Sequence, residues 1–461
     1  MSIDLSLRRV AHLLSHLPPY TRPTVHIAGT NGKGSVSALT SSILLESSFS
    51  VGRFNSPHLV SIYDSIVING KPVDAESYWQ ARHAVEHADT LHGVGATSFE
   101  LLTSTALLVF ERAAVEVVVL EVGMGGRLDA TNAIADDVVL ASALTAVDLD
   151  HQNFLGDTVH QIAQEKAGIA RRGVPFVLGP QKFPEVIQSV KQAVAVAGAD
   201  LILATAATKS LGDPSLDDEG TSSDNLPLYG EHQLDNLGVA AGIVDALRIH
   251  PSSFRKGFGR DRISSSTVAA GIRNTTWPGR LSFHDIPASM FHAAPGTQPP
   301  LLLADGAHNA SSSTTLASYL SHLLTQPTMQ TIHITFILAL SHSPPKSPLQ
   351  TLSPLFAFSR PPGVEVSVDV AVLKFTTPVD GMPWLRPVPP SDLQEVVKEL
   401  LPAAEIWSKP DEEDPRDAHL YQALRWACGK PGGGRDSTRR LIVVAGSLYL
   451  VADLYRLLQS L

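Results

Sequence analysis

The sequence contains few of the features that mark secreted, membrane or nucleic-acid-binding proteins. Its 461 residues include one cysteine, Cys428, which excludes an internal disulfide framework and suits a reducing compartment. The formal net charge is -10, so no basic field exists to hold a polyanion, and no nucleic-acid partner is expected. No charge-free run of about 18 apolar residues occurs, which predicts no membrane span. A globular chain remains, with 44% apolar residues to build its cores.

The N-terminal segment lacks the apolar core of a signal peptide. It carries an early acid, Asp4, and its apolar residues between positions 5 and 14 recur at helical spacing, which predicts a packed first helix. The expected location is therefore the cytoplasm. Arg8 and Arg9 lie in this amphipathic segment, so a mitochondrial pool is left open.

Residues 25–35 have the layout of a phosphate-binding loop. An apolar strand leads into a glycine-spaced loop, then Lys33 and Ser35, then a helical stretch. Loop amides and the helix N-terminus can hold an anion, Lys33 can reach the outer phosphates, and the Ser35 hydroxyl can bind Mg²⁺. The spacing between Gly29 and Gly32 is shorter than in the common P-loop, and ordinary turn glycines are the alternative. The order of the elements favours the phosphate loop.

Alternating strand-like and helix-like stretches predict an α/β fold with parallel sheets. Apolar runs at 115–120 and 138–147 predict buried strands, and a second series follows at 301–304, 331–340, 368–375 and 441–445. Prolines between 287 and 300 mark the boundary. We therefore expect a P-loop-containing, mostly parallel sheet domain at 1–287 and a smaller Rossmann-like α/β domain at 288–461. Polar residues 208–226 predict a surface insertion.

Two further strands of the first domain run into residues that can bind a metal ion. Glu121 follows one apolar run, and the other runs into the segment that ends at His151. Carboxyl ends of parallel strands share one edge, which brings Ser35, Glu121 and His151 near one another. Such a set suits a divalent metal beside a triphosphate. The alternative is that Glu121 caps a turn and His151 is a surface histidine.

Lys166 is an unexpected residue in a predicted helix that starts with Asp157 as its N-cap. At helical spacing it falls among the apolar residues rather than on the polar side. An inward-facing ammonium must be paired, shift its pKa or be modified. Our hypothesis is that Lys166 reacts with CO₂ to form a carbamate, an anion suited to a Mg²⁺ site. A snorkelling lysine is the alternative.

Motifs spread along nearly the whole chain resemble one enzyme family. They are HIAGTNGKGS at 26–35, NSPHL at 55–59, FELLT at 99–103, EVGMGGRLDATN at 121–132, DH at 150–151, EKAGI at 165–169, WPGR at 277–280, DGAHN at 305–309 and GSLY at 446–449. In these segments the chain is similar to the folylpolyglutamate synthase and dihydrofolate synthase branch of the Mur-ligase-like amide ligases. Residues 380–384 and 446–450 most resemble the fungal dihydrofolate synthetases.

The resemblance implies a reaction and its partners. ATP and Mg²⁺ would drive ligation of L-glutamate to 7,8-dihydropteroate through an acyl phosphate, giving dihydrofolate, ADP and phosphate. A monomer that acts on small molecules, with no nucleic-acid or membrane partner, is expected. The nearest alternative is a folylpolyglutamate synthase that extends tetrahydrofolate. More remote alternatives are a P-loop phosphotransferase and a non-catalytic binding protein derived from the ligase.

The resemblance also implies roles for individual residues. Those implied for ATP binding are Gly32, Lys33, Gly34, Ser35, Asn236, Arg280 and Asp305. The implied metal ligands are Ser35, Ser56, Glu121, His151 and Lys166. The implied catalytic residues are Lys33, Lys166 and His308, and the implied substrate contacts are Phe99, Leu128, Asp129, Ala130 and Ser447. Residues 341–346 depart from an Asp-Lys-Asp-like stretch of bacterial members, which leaves the glutamate contacts of the second domain open.

Overall fold

The computed structural model describes residues 6–208, 226–254, 256–287, 290, 299–325, 331–342, 346–377, 379, 382, 385–409, 416–430 and 438–460. The chain divides into two compact units, Met1–Trp277 and Pro278–Leu461. Most of the predicted insertion at 208–226, and most of the 380–384 motif, lie outside the described residues. None of the described helices is long and apolar enough to cross a bilayer.

The first unit is built on a mostly parallel sheet. Its strands are β1 Thr24–Ala28, β2 Val51–Phe54, β3 Ile66–Ile68, β4 Lys71–Pro72, β5 Val117–Glu121, β6 Val139–Leu144, β7 Pro175–Leu178 and β8 Asp200–Leu203. Its helices are α1 Arg8–Ser15, α2 Lys33–Glu46, α3 Ala75–His92, α4 Ser98–Arg112, α5 Gln152–Leu155, α6 Val159–Ala167, α7 Pro184–Ala197, α8 His232–Ile249, α9 Pro251–Phe254 and α10 Ser265–Arg273. Within the described residues the strand order is β4-β3-β2-β5-β1-β6-β7-β8.

Strand β1 lies near the middle of this sheet, with β5 and β6 parallel to it on either side. All five of its residues are buried, as expected for a parallel strand that helices cover on both faces. Because β1, β5 and β6 run in the same direction, the segments that follow them emerge at one edge. This edge carries the phosphate loop.

Helix α2 is buried on nearly every side, which explains why its sequence shows no clean amphipathic stripe. It lies between the sheet and helices α8 and α10. Helix α10 approaches so closely that a Cβ at Gly271 would lie 2.4 Å from the Ile43 Cα. The absence of a side chain at Gly271 therefore permits this close approach of α10 to the helix that follows the phosphate loop.

The second unit is a separate α/β sheet. Its strands are β9 Ser282–His284, β10 Leu301–Ala304, β11 Thr331–Leu338, β12 Glu365–Val372, β13 Ile406–Trp407 and β14 Thr438–Ala445. Its helices are α11 Ala310–Leu324, α12 Pro348–Phe356, α13 Pro390–Leu400, α14 Arg416–Cys428 and α15 Leu448–Ser460. The described strands follow the order β13-β12-β11-β14-β10-β9, and only β9 is antiparallel to its neighbour.

Along the chain, the boundary between the two units lies between Trp277 and Pro278. The sequence predicted this boundary between residues 287 and 288. Residues 278–287 go with the second unit because β9 pairs with β10 and the Leu281 amide donates to Asp305 at 2.8 Å. The prolines that suggested a linker follow this strand instead of preceding it.

Replacing Gly271 by alanine is expected to destabilise the first unit by about 1–3 kcal/mol, because the backbone atoms of Ile43 cannot move aside easily. Gly242→Ala is the matched control, since the nearest atom that its Cβ would meet is the Val177 Cγ1 methyl at 3.0 Å, a side-chain atom rather than backbone. Thermal unfolding of both variants measures the difference. Equal midpoints for the two variants would contradict the proposed close contact.

Candidate active site

The phosphate loop joins β1 to α2 in the predicted way. Gly32 is the N-cap of α2 with a φ of 91°, a left-handed conformation that favours glycine. A Cβ there would lie 2.2 Å from Asn236 Oδ1, and the Asn236 amide in turn donates to Gln233 at 2.7 Å. A Cβ at Gly34 would lie 2.3 Å from the Trp277 ring. The loop backbone is therefore enclosed by two side chains from distant parts of the first unit.

The segment after β6 holds the other side of the loop. The Thr30 amide donates to the Ala146 carbonyl at 2.8 Å, and the Thr145 hydroxyl donates to the Asn31 carbonyl at 2.6 Å. The Asp148 amide donates to Thr30 Oγ1 at 3.1 Å. These bonds fix the start of the segment that leads to Asp150 and His151.

Glu121 ends β5 beside the loop, as the parallel topology predicts. Its Oε1 lies 3.7 Å from the Lys33 ammonium, and its Oε2 accepts a 2.6 Å hydrogen bond from Asn55 Nδ2. Asn55 Oδ1 is buried and has no hydrogen-bond partner among the described residues. Ser56, one of the implied metal ligands, is the next residue. Sequence reasoning missed Asn55, although it opens the NSPHL motif.

This cluster has the oxygen chemistry that a hard divalent cation requires. Glu121 is 5% exposed and Ser35, in the first turn of α2, is also 5% exposed. Mg²⁺ prefers carboxylate, hydroxyl and carbonyl oxygens, and the unpaired Asn55 Oδ1 adds a third oxygen type. The residues therefore fit Mg²⁺. Within the described chain, no group of three or more His, Cys, Asp and Glu side chains forms a metal site.

Lys166 points into the protein, so the snorkelling alternative is wrong. It lies in the last turn of α6, is 3% exposed, and donates to the Gly29 carbonyl at 2.9 Å. Burial, and then the charge of Lys33, lower its pKa to about 7, although Asp150 and Asp129 act in the opposite direction. A large fraction of this amine is therefore neutral near pH 7. Helix α6 starts one residue later than predicted.

The helix start differs because Thr158, rather than Asp157, is the N-cap. Its hydroxyl accepts from the Gln161 amide, and the Gln161 side chain accepts from the Thr158 amide at 3.2 Å. This reciprocal capping box satisfies two N–H groups, which a single aspartate cap could not do.

Asp129 stabilises its own loop. Its carboxylate accepts from the amides of Met124 at 2.8 Å and Thr131 at 3.0 Å, and from the Thr131 hydroxyl at 2.5 Å. Burial raises its pKa, while these bonds favour the ionised form. The side chain of Asp129 is therefore used to shape the segment after Glu121, and its predicted contact with substrate is not needed to explain its position.

The other implied substrate residues surround the same segment. The Phe99 ring lies against Gly123 and 6.3 Å, centroid to centroid, from Phe54. Ala130 is buried, whereas Leu128 is partly exposed. Phe99 and this loop thus form one wall beside Glu121, and their contact with a substrate stays a prediction.

His151 lies at the outer side of the cluster. It has a φ of 52°, its side chain is 48% exposed, and its Nε2 lies 3.9 Å from Asp150 Oδ2. Asp150 is buried and close enough to Lys166 to affect its pKa. The structure therefore brings the His151 segment to the loop, while His151 as a metal ligand stays a prediction.

In the second unit, three of the implied residues converge around Gly306. Asp305 accepts from the amides of Leu281 and Ala307, both at 2.8 Å, and burial raises its pKa while nearby Arg280 lowers it. The Arg280 guanidinium lies against Gly306. His308 Nδ1 lies 2.8 Å from the Gly306 carbonyl, and since a carbonyl only accepts, Nδ1 carries the proton.

Ser447 has a structural role at the end of β14. It is 1% exposed, and its hydroxyl accepts from the Tyr449 amide at 3.1 Å at the start of α15. This bond caps the helix. The implied contact of Ser447 with substrate stays a prediction.

Comparison with known proteins places this arrangement in a family. The family model "Dihydrofolate synthetase, C-terminal domain" matches residues 291–457. Dihydrofolate synthetase of Saccharomyces cerevisiae is 35% identical over 472 aligned positions, which span 100% of this chain and 99% of the relative. The chain belongs to the dihydrofolate synthetase family. The family predicted from the motifs is therefore confirmed.

Solved structures give the same result for the fold. A folylpolyglutamate synthase from Mycobacterium tuberculosis, complexed with ADP and AMPPCP, matches with a TM-score of 0.75, 26% identity, and coverage of 98% of this chain and 95% of that chain. A bifunctional folylpolyglutamate synthase/dihydrofolate synthase from Yersinia pestis, complexed with AMPPNP and a manganese ion, matches with a TM-score of 0.73, 25% identity, and coverage of 100% and 95%. The predicted fold class is confirmed.

Replacing Lys33 by alanine should weaken nucleotide binding to this dihydrofolate synthetase family member. A charged hydrogen bond to phosphate contributes about 1.5–3 kcal/mol, so the loss should be about tenfold to a hundredfold. Calorimetric titration with ADP and Mg²⁺ measures it. Lys191→Ala, on the exposed face of α7, is the control for loss of one positive charge. Equal affinity of Lys33→Ala and Lys191→Ala for ADP would show that Lys33 does not bind the nucleotide.

Proposed function

We propose that this chain is a dihydrofolate synthase, which joins L-glutamate to 7,8-dihydropteroate with ATP as the energy source. The observation that carries the proposal is the full-length similarity to the dihydrofolate synthetase of Saccharomyces cerevisiae. The contacts among Lys33, Glu121 and the phosphate loop support it, because they supply what ATP-dependent activation of a carboxylate requires.

The chemical difficulty is that a carboxylate is a poor electrophile and repels a phosphate. The ammonium of Lys33 and the amides at the start of α2 offset this repulsion at the terminal phosphate of ATP. Ser35, Glu121 and Asn55 would hold Mg²⁺, which supplies further charge neutralisation when bound. A carboxylate oxygen of dihydropteroate then attacks the γ-phosphorus, and the bond to the β,γ-bridging oxygen breaks to release ADP.

The acyl phosphate formed in this step is the activated intermediate. The α-amine of glutamate attacks its carbonyl carbon, the tetrahedral adduct expels phosphate, and the nitrogen loses one proton to give the amide. The groups that held the transferred phosphoryl also stabilise the departing phosphate, since its charge stays beside Lys33 and the α2 N-terminus. One ATP is thereby consumed for each amide bond.

The carbamate of Lys166 is part of the proposal. The ammonium first loses a proton; the neutral amine then attacks CO₂, forms an N–C bond and releases a second proton, so the lysine changes from cation to anion. The burial of Lys166 and its pKa of about 7 favour the reactive neutral form. Asp150 and Asp129 oppose it by favouring the ammonium. The carbamate would add two oxygens to a cluster that already holds Glu121 and Ser35.

The second unit is proposed to serve ATP and glutamate. Arg280, Asp305 and His308 are the candidates because they converge around Gly306. The departure at residues 341–346 means that glutamate contacts cannot be transferred from bacterial relatives position by position. A monomer in the cytoplasm, with a mitochondrial pool as the alternative, stays a prediction.

A folylpolyglutamate synthase is the second candidate, because relatives from Mycobacterium tuberculosis and Yersinia pestis are named for that activity. The purified enzyme should form dihydrofolate from dihydropteroate, glutamate and MgATP, and should extend tetrahydrofolate at least tenfold more slowly. Chromatography of the two products measures this ratio. Preference for tetrahydrofolate would replace the proposal with the second candidate, and ATP turnover without either product would reject both.

Lys166→Arg is expected to abolish the carbamate while retaining a buried cation. NMR of the wild-type enzyme in ¹³C-bicarbonate should show a carbamate carbon that the variant lacks. Because the amine loses its proton as pH rises through about 7, the signal should grow between pH 6 and pH 8. Lys166→Ala should lose amide formation, with at most partial rescue by short carboxylates. Full activity of that variant would remove the carbamate from the mechanism.

A further inference from the structure

Arg53 is a buried cation behind the phosphate loop that the mechanism above does not use. It lies on β2, and the two-residue period of a strand puts it on the same face as Val51, which packs in the core around α2. Its NH1 donates to Ser41 Oγ at 3.3 Å, and its Cζ lies 5.2 Å from the centroid of the Trp277 ring. The guanidinium therefore bridges α2 and Trp277.

The surface of α2 is shaped to receive these two side chains. Gly34, Ala38 and Ser41 are spaced at i, i+4 and i+7, so they form one row of small residues on the helix. Trp277 lies over the first of them, where a Cβ would be 2.3 Å from the ring. Arg53 contacts the last. Trp277 therefore covers the first turn of α2, and Arg53 contacts the same row of residues two turns later.

Burying an arginine beside α2 carries a free-energy cost that an apolar residue would not. Burial lowers the pKa of Arg53 to about 10, although nearby Glu121 acts in the opposite direction. The side chain therefore stays charged at neutral pH. Its Nε is buried, and no residue in the described part of the chain accepts a hydrogen bond from it. An apolar side chain of similar length would avoid both costs. The charge is explained by what surrounds it, the face of an indole and a carboxylate.

We propose that Arg53 is a positioning residue of the nucleotide site. Its guanidinium holds the Trp277 ring against Gly34 and thereby fixes the first turn of α2, from which Lys33 and Ser35 extend. The inference rests on one part of the proposed function, namely that this loop binds a nucleotide. It assigns a role to Trp277 as well, as the side chain through which Arg53 acts on the loop.

The test compares three variants by calorimetric titration with ADP and Mg²⁺, in the full-length protein without pterin or glutamate. Arg53→Met keeps the length of the side chain and removes its charge, and it should weaken ADP binding at least tenfold. Arg53→Lys keeps the charge without the planar fork that stacks on the indole, so its loss should be smaller, about threefold to tenfold.

Arg262→Met is the matched control. Arg262 also stacks on an aromatic ring, with its Cζ 3.6 Å from the Phe49 centroid, and it forms an ion pair with Glu116. It lies near the C-terminal end of α2, away from the phosphate loop. This variant should lose thermal stability and keep wild-type affinity for ADP. Tryptophan fluorescence gives a second readout. The difference between the wild-type and Trp277→Phe emission spectra is the contribution of Trp277, and this contribution should change in Arg53→Met.

Wild-type affinity in folded Arg53→Met would overturn the inference, as would an equal loss of affinity in Arg262→Met. If Arg53→Met fails to fold, Arg53→Lys decides: unchanged ADP binding and emission reject the role. These titrations measure nucleotide binding alone. If the separate product assay shows no dihydrofolate, that result contradicts the proposed function and does not affect this inference. The two failures are therefore distinguishable.

Discussion

The attraction between Lys33 and Glu121 is the interaction on which the site depends. Their 3.7 Å separation corresponds to a Coulomb term of about 4 kcal/mol at an effective dielectric of about 20, offset by the cost of removing both groups from water. The pair persists because Asn55 also binds Glu121 and because the start of α2 carries Lys33. We propose that a nucleotide competes for the lysine and a cation for the carboxylate. The two partners are thus placed to receive opposite charges side by side.

The sheet topology explains how residues far apart in the chain reach this pair. Strands β2, β5, β1 and β6 are consecutive neighbours, so Asn55, Glu121, the phosphate loop and the segment to His151 all lie at the carboxyl ends of these strands. Lys166 enters from α6 and binds the Gly29 carbonyl. The proposed carbamate would change the charge at this position from positive to negative, so we expect metal binding to depend on the state of Lys166.

The sequence predicted the features that local pattern determines. The order of apolar run, loop, lysine and helical stretch predicted the strand–loop–helix unit that the structure shows, and helical periodicity predicted that Lys166 is buried. Asn55 and Arg53 were missed because their importance comes from β2 lying beside β5, which no local pattern encodes. Asp129 matched a family position, but its hydrogen bonds to its own loop could be seen only in three dimensions. The boundary near Pro278 was missed because proline content does not reveal the pairing of β9 with β10.

The most direct test of the account follows oxygen atoms. Dihydropteroate labelled with ¹⁸O in both carboxylate oxygens is incubated with glutamate, MgATP and enzyme, and the released phosphate is analysed by mass spectrometry. Transfer of the γ-phosphoryl beside Lys33 to the carboxylate predicts one ¹⁸O in each phosphate molecule. Phosphate that carries no ¹⁸O, formed together with the amide, would contradict activation through an acyl phosphate.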